Sequence, residues 1–167
     1  MTYLITFACY GCHLHGDSDG SVDPEHNMPG SRLVSANANR AAWERSRMDQ
    51  PPYLMDESRR RTVLASIRER CVNRGWTLLA AHVRTNHVHV IVVAEARPGR
   101  VMNDLKSFAS RCLNALGVDG ADRARWARHG STRWLWKREA VLAAQRYVVD
   151  GQGEKMDFYD SLDRACV

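Results

Sequence analysis

The stretch Arg84-Thr-Asn-His-Val-His-Val-Ile-Val-Val93 decides the fold of this chain. Its run of β-branched residues predicts a buried strand that follows a short turn. Because alternate residues of a strand share a face, we expect Val88, Val90 and Val92 to point into a core and His87 and His89 to project together from the opposite face. Two imidazoles held side by side on a rigid strand can ligate one metal ion. The stretch therefore indicates both a sheet and a candidate metal site.

The histidine pair also has a simpler interpretation, in which two half-buried histidines bond to nearby loops. Two features favour a function: imidazoles in an apolar strand are costly to desolvate unless they are bonded, and Arg84 and Asn86 place further polar groups at the same end. A histidine-triad nucleotide hydrolase would need a third histidine where Ile91 stands, so we set that chemistry aside.

The segments on either side of this strand predict an α+β fold. Their order is β-α-β-β-α-β-α with an antiparallel hairpin at its centre, which is the ferredoxin-like split arrangement with an additional C-terminal helix. Helices should cover one sheet face, and the histidines should lie on the open face or under the last helix. The tail beyond Met156 carries no clear signal. Strands are predicted over residues 3–9, 76–84, 87–93 and 132–136, with a turn at residues 85–86, and helices over residues 56–74, 98–116 and 137–150, with a weaker helical segment at 36–48.

Length and composition indicate one domain over residues 1–167, with a core at about 3–156 and a long loop or insertion at 11–55. No membrane span or secretory signal is found, so we expect a cytoplasmic protein without a membrane partner. The net charge of +5 favours a polyanionic partner. The five cysteines are an odd number in a chain without an export signal, which argues against a disulfide framework.

One cysteine pattern has competing interpretations. The segment Cys9-Tyr-Gly-Cys-His13 matches the c-type haem attachment motif, but that chemistry belongs to exported proteins. A zinc site from Cys9, Cys12, His13 and His15 would lack a second, separated ligand pair. The remaining interpretation is that these residues occupy a strand end and a turn.

Tyr147 is the second candidate functional residue. A tyrosine on a helix is usually a core or interface residue, but here Asp150 shares its helical face and Gln152 lies just beyond Gly151, where the backbone can bend. A phenol is a poor nucleophile at neutral pH and needs a base or a metal-polarised phosphate to react. A tyrosine beside a metal site has the groups needed to break a phosphodiester bond.

Three segments together carry a family resemblance: His87-Val-His89, Leu105-Lys-Ser-Phe-Ala-Ser-Arg111 and Tyr147-Val-Val-Asp-Gly-Gln152. In this order and spacing they resemble the single-tyrosine transposases of the HUH-endonuclease superfamily, which include insertion-sequence and REP-associated types. The opening Thr6-Phe-Ala-Cys-Tyr-Gly11, with Gly16-Asp17 and Gly20-Ser-Val-Asp23, resembles the start of one branch of that family. The resemblance covers roughly residues 3–156.

This resemblance implies a ferredoxin-like fold and a DNA-cleaving and rejoining enzyme that acts on hairpin-bearing single-stranded DNA. It further implies Tyr147 as the nucleophile that forms a 5′-phosphotyrosine, with Mg²⁺ or Mn²⁺ held by His87, His89 and a third polar residue. A homodimer is implied too, in which the tyrosine of one subunit often serves the histidines of the other. The family usually places glutamine four residues after the tyrosine, where this chain has glycine. By resemblance we favour Gln152 as the third ligand, with Asp150 as the alternative.

Other residues are candidates for contacts with DNA. Arg84, Lys106 and Arg111 are expected to contact phosphates, and Trp126, Trp134 and Trp136 are candidates for stacking on unpaired bases. Two further functions stay open: a domesticated, catalytically weak protein that binds DNA hairpins, and a different metal-dependent phosphodiesterase.

Overall fold

A computed structural model describes residues 1–12 and 38–163 of the chain. These residues form one five-stranded sheet with helices packed on both of its faces. No helix in the two described ranges is long and apolar enough to cross a membrane. Along the chain the elements are β1 (Thr2–Ala8), α1 (Ala38–Ser46), α2 (Glu57–Arg74), β2 (Thr77–Val83), β3 (His87–Val93), α3 (Pro98–Leu116), β4 (Ser131–Leu135), α4 (Arg138–Val149) and β5 (Asp157–Asp160).

The sheet has the strand order β4-β1-β3-β2-β5, and every neighbouring pair is antiparallel. The β2–β3 hairpin lies inside the sheet, and β1 inserts between β3 and β4, as a split β-α-β arrangement requires. The predicted α+β fold class is therefore confirmed. Of the predicted loop at residues 11–55, residues 13–37 lie outside the described ranges and residues 38–46 form α1.

The two faces of β3 are covered by different helices. Val88, Val90 and Val92 are fully buried in the larger core, together with apolar residues of α2 and α3, as predicted. The opposite face packs against α4 through a smaller apolar cluster. The histidines of β3 thus lie on the face that the last helix covers. The members of the smaller cluster are Ala80, Ile91, Leu135, Ala144, Val148 and Val149.

The two long helices begin and end where the sequence places their caps. The Asp56 side chain accepts a hydrogen bond from the backbone N–H of Arg59 at 2.9 Å, so it satisfies a first-turn donor of α2. Gly75 ends α2 with a φ of 65°, in the left-handed region that glycine adopts without a steric penalty. Pro98 opens α3, where a missing N–H costs nothing.

The strand β5 was not predicted, because four residues offer too little alternation to detect. It pairs with β2 and places Phe158 opposite His82. Since β4 and β5 form opposite edges of the sheet, α4 crosses the sheet from one edge to the other. Both ends of the helix that carries Tyr147 are therefore anchored in the same sheet.

Candidate active site

His87 and His89 lie side by side on β3, with ring centroids 4.8 Å apart and ring planes at 78°. Strand pairing puts Thr6 of β1 opposite His89 on one side and His82 of β2 opposite it on the other. His87 is partly exposed at the end of the strand, whereas His89 is 6% exposed. The predicted pairing of the two imidazoles on one face is present in the structure.

The side chain of Asn86 orients the His87 ring. Its carbonyl oxygen Oδ1 lies 2.7 Å from Nδ1 of His87. An amide oxygen can only accept, so Nδ1 carries the proton and donates it. The lone pair of the neutral ring is then on Nε2, which is the tautomer that ligates a metal through Nε2.

His89 is bonded at both ring nitrogens. Nδ1 lies 2.7 Å from the hydroxyl oxygen of Thr6, and Nε2 lies 3.1 Å from the side-chain oxygen Oε1 of Gln152. Burial, followed by the neighbouring His87, lowers the pKa of His89 to about 3. The ring is therefore neutral at physiological pH, the form that metal ligation needs.

Tyr147 lies on α4 next to this pair. Its ring is 50% exposed and its centroid is 5.8 Å from that of His89. The amide nitrogen of Gln152 donates to the backbone carbonyl of Tyr147 at 3.2 Å. One glutamine side chain thus contacts both His89 and the residue proposed as nucleophile, and all of these contacts lie within a single chain.

Gly151 permits this close approach. A Cβ at this position would lie 2.8 Å from the carbonyl oxygen of Tyr147 and 3.1 Å from its Cα. The Gly151 N–H donates to the same carbonyl at 3.0 Å, so the chain folds back over the last turn of α4. This fold turns Gln152 toward His89. Asp150, the alternative ligand, is exposed and forms an ion pair with Lys155 at 2.9 Å.

His82 is a site residue that the sequence analysis missed. It is fully buried, its Nε2 accepts from the N–H of Met156 at 3.2 Å, and its Nδ1 lies 2.8 Å from the carbonyl oxygen of Val148. Because a carbonyl accepts, Nδ1 donates and the ring is neutral; burial lowers the pKa of His82 accordingly. These two bonds fasten both ends of the segment that contains Gln152 to β2. No local pattern could reveal this, since its partners are backbone atoms far along the chain.

The side chains at this site offer a small set of donors for a divalent cation. Within residues 1–12 and 38–163, no group of three His, Cys, Asp or Glu side chains could hold a metal. The candidate set is instead two neutral imidazoles and one amide oxygen, from His87, His89 and Gln152. The amide oxygen is a ligand type that suits Mg²⁺ or Mn²⁺, whereas imidazole is preferred by softer divalent ions, and three protein ligands leave positions open for water and substrate oxygens. With no carboxylate, we expect weak metal binding in the absence of DNA.

The three predicted phosphate contacts lie in different environments. Arg84 is partly exposed, and its guanidinium donates to the carbonyl of Glu154 at 2.7 Å. Arg111 is exposed, with its guanidinium 5.3 Å from the ring centroid of Phe108.

Lys106 is only 7% exposed, and its ammonium donates to the carbonyls of Ala127 and His129, both at 3.0 Å. Burial lowers its pKa to about 8. An ammonium committed to holding the loop before β4 does not face solvent, so we leave Lys106 out of the proposed DNA contacts.

The cysteine pattern is only partly within the described residues. Cys9 is buried at the end of β1, and burial raises the pKa of its thiol well above the usual range. The Cys12 thiol donates to the carbonyl of Tyr53 at 3.6 Å. His13 and His15 lie outside the described residues, so the zinc alternative stays an untested prediction.

Comparison with known families identifies the class of protein. Residues 50–139, more than half of the 167-residue chain, match the family described as IS200-like transposases. The chain belongs to this transposase family. A search of curated proteins found no match.

Two solved structures resemble the fold. One is a REP-associated tyrosine transposase bound to a REP hairpin, with 9% identity, a TM-score of 0.48, and coverage of 90% of this chain and 65% of that chain. This chain therefore spans about two thirds of the length of that protein. The other is a candidate transposase from Deinococcus radiodurans R1, with 13% identity, a TM-score of 0.49, and coverage of 89% and 88%.

Proposed function

We propose that this protein cleaves and rejoins single-stranded DNA through a covalent 5′-phosphotyrosine at Tyr147. The observation that carries the proposal is the convergence of three side chains on one spot: Gln152 lies 3.1 Å from His89, and the Tyr147 ring lies 5.8 Å from the same imidazole. Membership of the transposase family supports a DNA substrate.

His87, His89 and Gln152 would hold Mg²⁺ or Mn²⁺. When bound, the cation supplies positive charge that offsets the negative charge developing on the phosphate oxygens. Neighbouring side chains orient these ligands before a metal binds. Asn86 fixes the tautomer of His87, and Thr6 can accept from or donate to Nδ1 of His89. His82 and Gly151 keep Gln152 in reach of His89.

The chemical step is an in-line displacement at phosphorus. The phenol of Tyr147 gives its proton to solvent, and its oxygen forms a bond to the phosphorus as the bond from phosphorus to the 3′-oxygen breaks. The 3′-oxygen takes a proton from solvent and leaves as a free hydroxyl, while the 5′-phosphate stays on Tyr147. A 3′-hydroxyl can later attack this linkage and restore the phenol, so strands are rejoined without an external energy source.

The proposed substrate is a single strand that carries hairpins. The net charge of +5 suits a polyanion, and the half-exposed Tyr147 ring is accessible to a strand laid across α4. We propose a homodimer as the active assembly. Within one chain Tyr147 lies beside the histidines of that same chain.

End-labelled strands test this proposal. With Mn²⁺ and a library of hairpin-bearing single strands, a 3′-end label should migrate with the denatured protein, whereas a 5′-end label should be released on a shorter fragment with a free 3′-hydroxyl. Tyr147→Phe should abolish the adduct, and Tyr159→Phe, in β5, should keep it. A 5′ label on the protein would reverse the proposed polarity. Hairpin binding without any adduct would identify a DNA-binding protein instead.

A further inference from the structure

Two tryptophans form an exposed stack at the β4 edge of the sheet. The rings of Trp134 and Trp136 lie 5.1 Å apart with their planes only 6° from parallel, and they are 40% and 71% exposed. Trp134 also packs edge-on against the buried Tyr3, at 4.8 Å. The core thus fixes one ring of the stack, and the other presents a flat indole to solvent. We call this pair the tryptophan ledge.

Basic residues outnumber acidic ones in the segment that carries the ledge. Four exposed basic residues and one exposed acidic residue, Glu139, lie in residues 128–139, and none of the four has an ion-pair partner among the described residues. Several arginines elsewhere are neutralised, as Arg70 is by Asp104 at 2.6 Å. The four residues are Arg128, Arg133, Lys137 and Arg138. Arg133 pairs with Leu4 and so projects from the face opposite to that of Trp134, toward the side of the sheet that α4 covers.

We propose that the tryptophan ledge binds unpaired bases of a single DNA strand, with the basic residues of the same segment contacting the phosphates. This inference rests on the proposed function and adds a second DNA site to it. A flat aromatic face stacks on any base, and an unpaired base has an exposed face to offer. In duplex DNA neighbouring base pairs cover these faces, so the ledge selects for single strands.

The register of the sheet relates the ledge to the catalytic residues. Trp134 pairs with Tyr3, three residues along β1 from Thr6, whose hydroxyl contacts His89. This separation is about 10 Å along the strand. Trp134 and Thr6 project from opposite faces of the sheet, so a strand that leaves the catalytic face would pass around the β4 edge to reach the ledge.

A second copy of the chain is a poorer occupant than DNA. Pairing two β4 edges would bring two sets of unpaired cations together, and like charges in contact oppose association. A phosphate backbone gains from the same charges, because each neutralised phosphate releases a counterion.

The test measures DNA binding in a Tyr147→Phe background without metal, so that cleavage plays no part. The probes are an oligothymidylate and an abasic strand of the same length. Trp136→Ala should weaken oligothymidylate binding about tenfold, a typical effect of removing one stacking partner, and leave abasic-strand binding unchanged. Arg133→Ala with Arg138→Ala should weaken both probes and lower the salt dependence. Trp136→Phe should restore much of the affinity.

Trp43→Ala is the matched control. Trp43 is 57% exposed, and its ring faces Arg47 rather than a second aromatic ring. The Trp43→Ala substitution should leave the affinities for oligothymidylate and for the abasic strand unchanged. Equal oligothymidylate affinity in Trp136→Ala and its parent would overturn the ledge while leaving the proposed function intact. Failure of the parent to bind either probe would also overturn the ledge, whereas the proposed hairpin-bearing substrate is tested separately by the adduct assay. A shift from dimer to monomer in Trp136→Ala, with unchanged DNA binding, would make the ledge a protein interface.

Discussion

The hydroxyl of Thr6 lies 2.7 Å from Nδ1 of His89, on the far side of the ring from Gln152. Gln152 uses its amide nitrogen on the Tyr147 carbonyl, so its oxygen must accept from Nε2–H of His89. In this tautomer the Thr6 hydroxyl donates to Nδ1. Metal ligation through Nε2 would require the proton on Nδ1 instead, and the same hydroxyl can then accept it. Thr6 therefore supports both forms of the ring.

Thr6→Val should weaken Mn²⁺ binding about tenfold. This is the low end of the loss in metal affinity that follows when the hydrogen-bond partner of a metal-ligating histidine is removed. The valine fills the same volume but leaves Nδ1 without a partner. Titration of Mn²⁺ with and without a bound single strand measures the effect. Thr6→Ser should restore affinity, and Thr132→Val on neighbouring β4 should have no effect. Unchanged affinity in Thr6→Val would remove Thr6 from the site.

Gly151→Ala should abolish the covalent adduct. The added methyl would lie 2.8 Å from the Tyr147 carbonyl oxygen, so the loop must move away and Gln152 with it. We expect a loss of roughly 1–3 kcal/mol in the free energy of unfolding, as for other overpacked sites. Gly99→Ala is the control, because nothing lies within 4 Å of a Cβ at that position. Normal adduct yield in Gly151→Ala would show that the loop geometry is dispensable.

Separate substitutions distinguish the two candidates for the third ligand. Gln152→Ala should raise the Mn²⁺ concentration needed for half-maximal adduct by about tenfold or more. Asp150→Asn should leave that concentration unchanged, because Asp150 is exposed and bonds Lys155 rather than a histidine. A raised Mn²⁺ requirement in Asp150→Asn but not in Gln152→Ala would make Asp150 the third ligand. The C-terminal end of α4 would then have to adopt a different conformation.

The pH dependence of stability follows from the buried imidazoles. Burial lowers the pKa of His89 from 6.5 to about 3 in the folded protein. Between these values the unfolded chain binds a proton that the folded chain does not, so the free energy of unfolding falls as the pH falls. For the metal-free protein we expect His89 to account for about 2 kcal/mol of this loss between pH 7 and pH 5.

Urea unfolding at the two pH values measures this loss. His89→Asn should show a smaller pH dependence, with a remainder from His82, whose pKa burial also lowers. His129→Asn, at an exposed position, should behave like the wild type. An undiminished pH dependence in His89→Asn would contradict the assignment of a buried, neutral ring.

Local patterns in the sequence were sufficient to predict the strand that carries the histidines and the two long helices. Because side chains alternate along a strand, the sequence of β3 predicted that His87 and Val88 point to opposite faces of the sheet. Asp56 and Gly75 likewise marked the two ends of α2. The position of Gln152 also followed a local feature, since only a glycine at 151 lets the chain fold back over Tyr147.

The features that were not predicted depend on tertiary contacts. His82 bonds to Val148 and Met156, which are 66 and 74 residues away. Lys106 resembles a solvent-exposed helix cation in sequence, but its ammonium bonds carbonyls of the loop before β4. The four residues of β5 become a strand because the edge of β2 offers them partners. None of these contacts leaves a periodic signal in its own segment.

The central claim is that Tyr147 is the nucleophile, and peptide mapping of the covalent adduct tests it most directly. Trypsin cleaves after Arg146 and Lys155, so residues 147–155 form a peptide with Tyr147 as its only tyrosine. After the adduct forms with Mn²⁺ and the attached DNA is digested with nuclease, mass spectrometry should find this peptide carrying a 5′-linked nucleotide. The nucleotide on a peptide that contains Tyr3, Tyr10, Tyr53 or Tyr159, with residues 147–155 unmodified, would contradict the account.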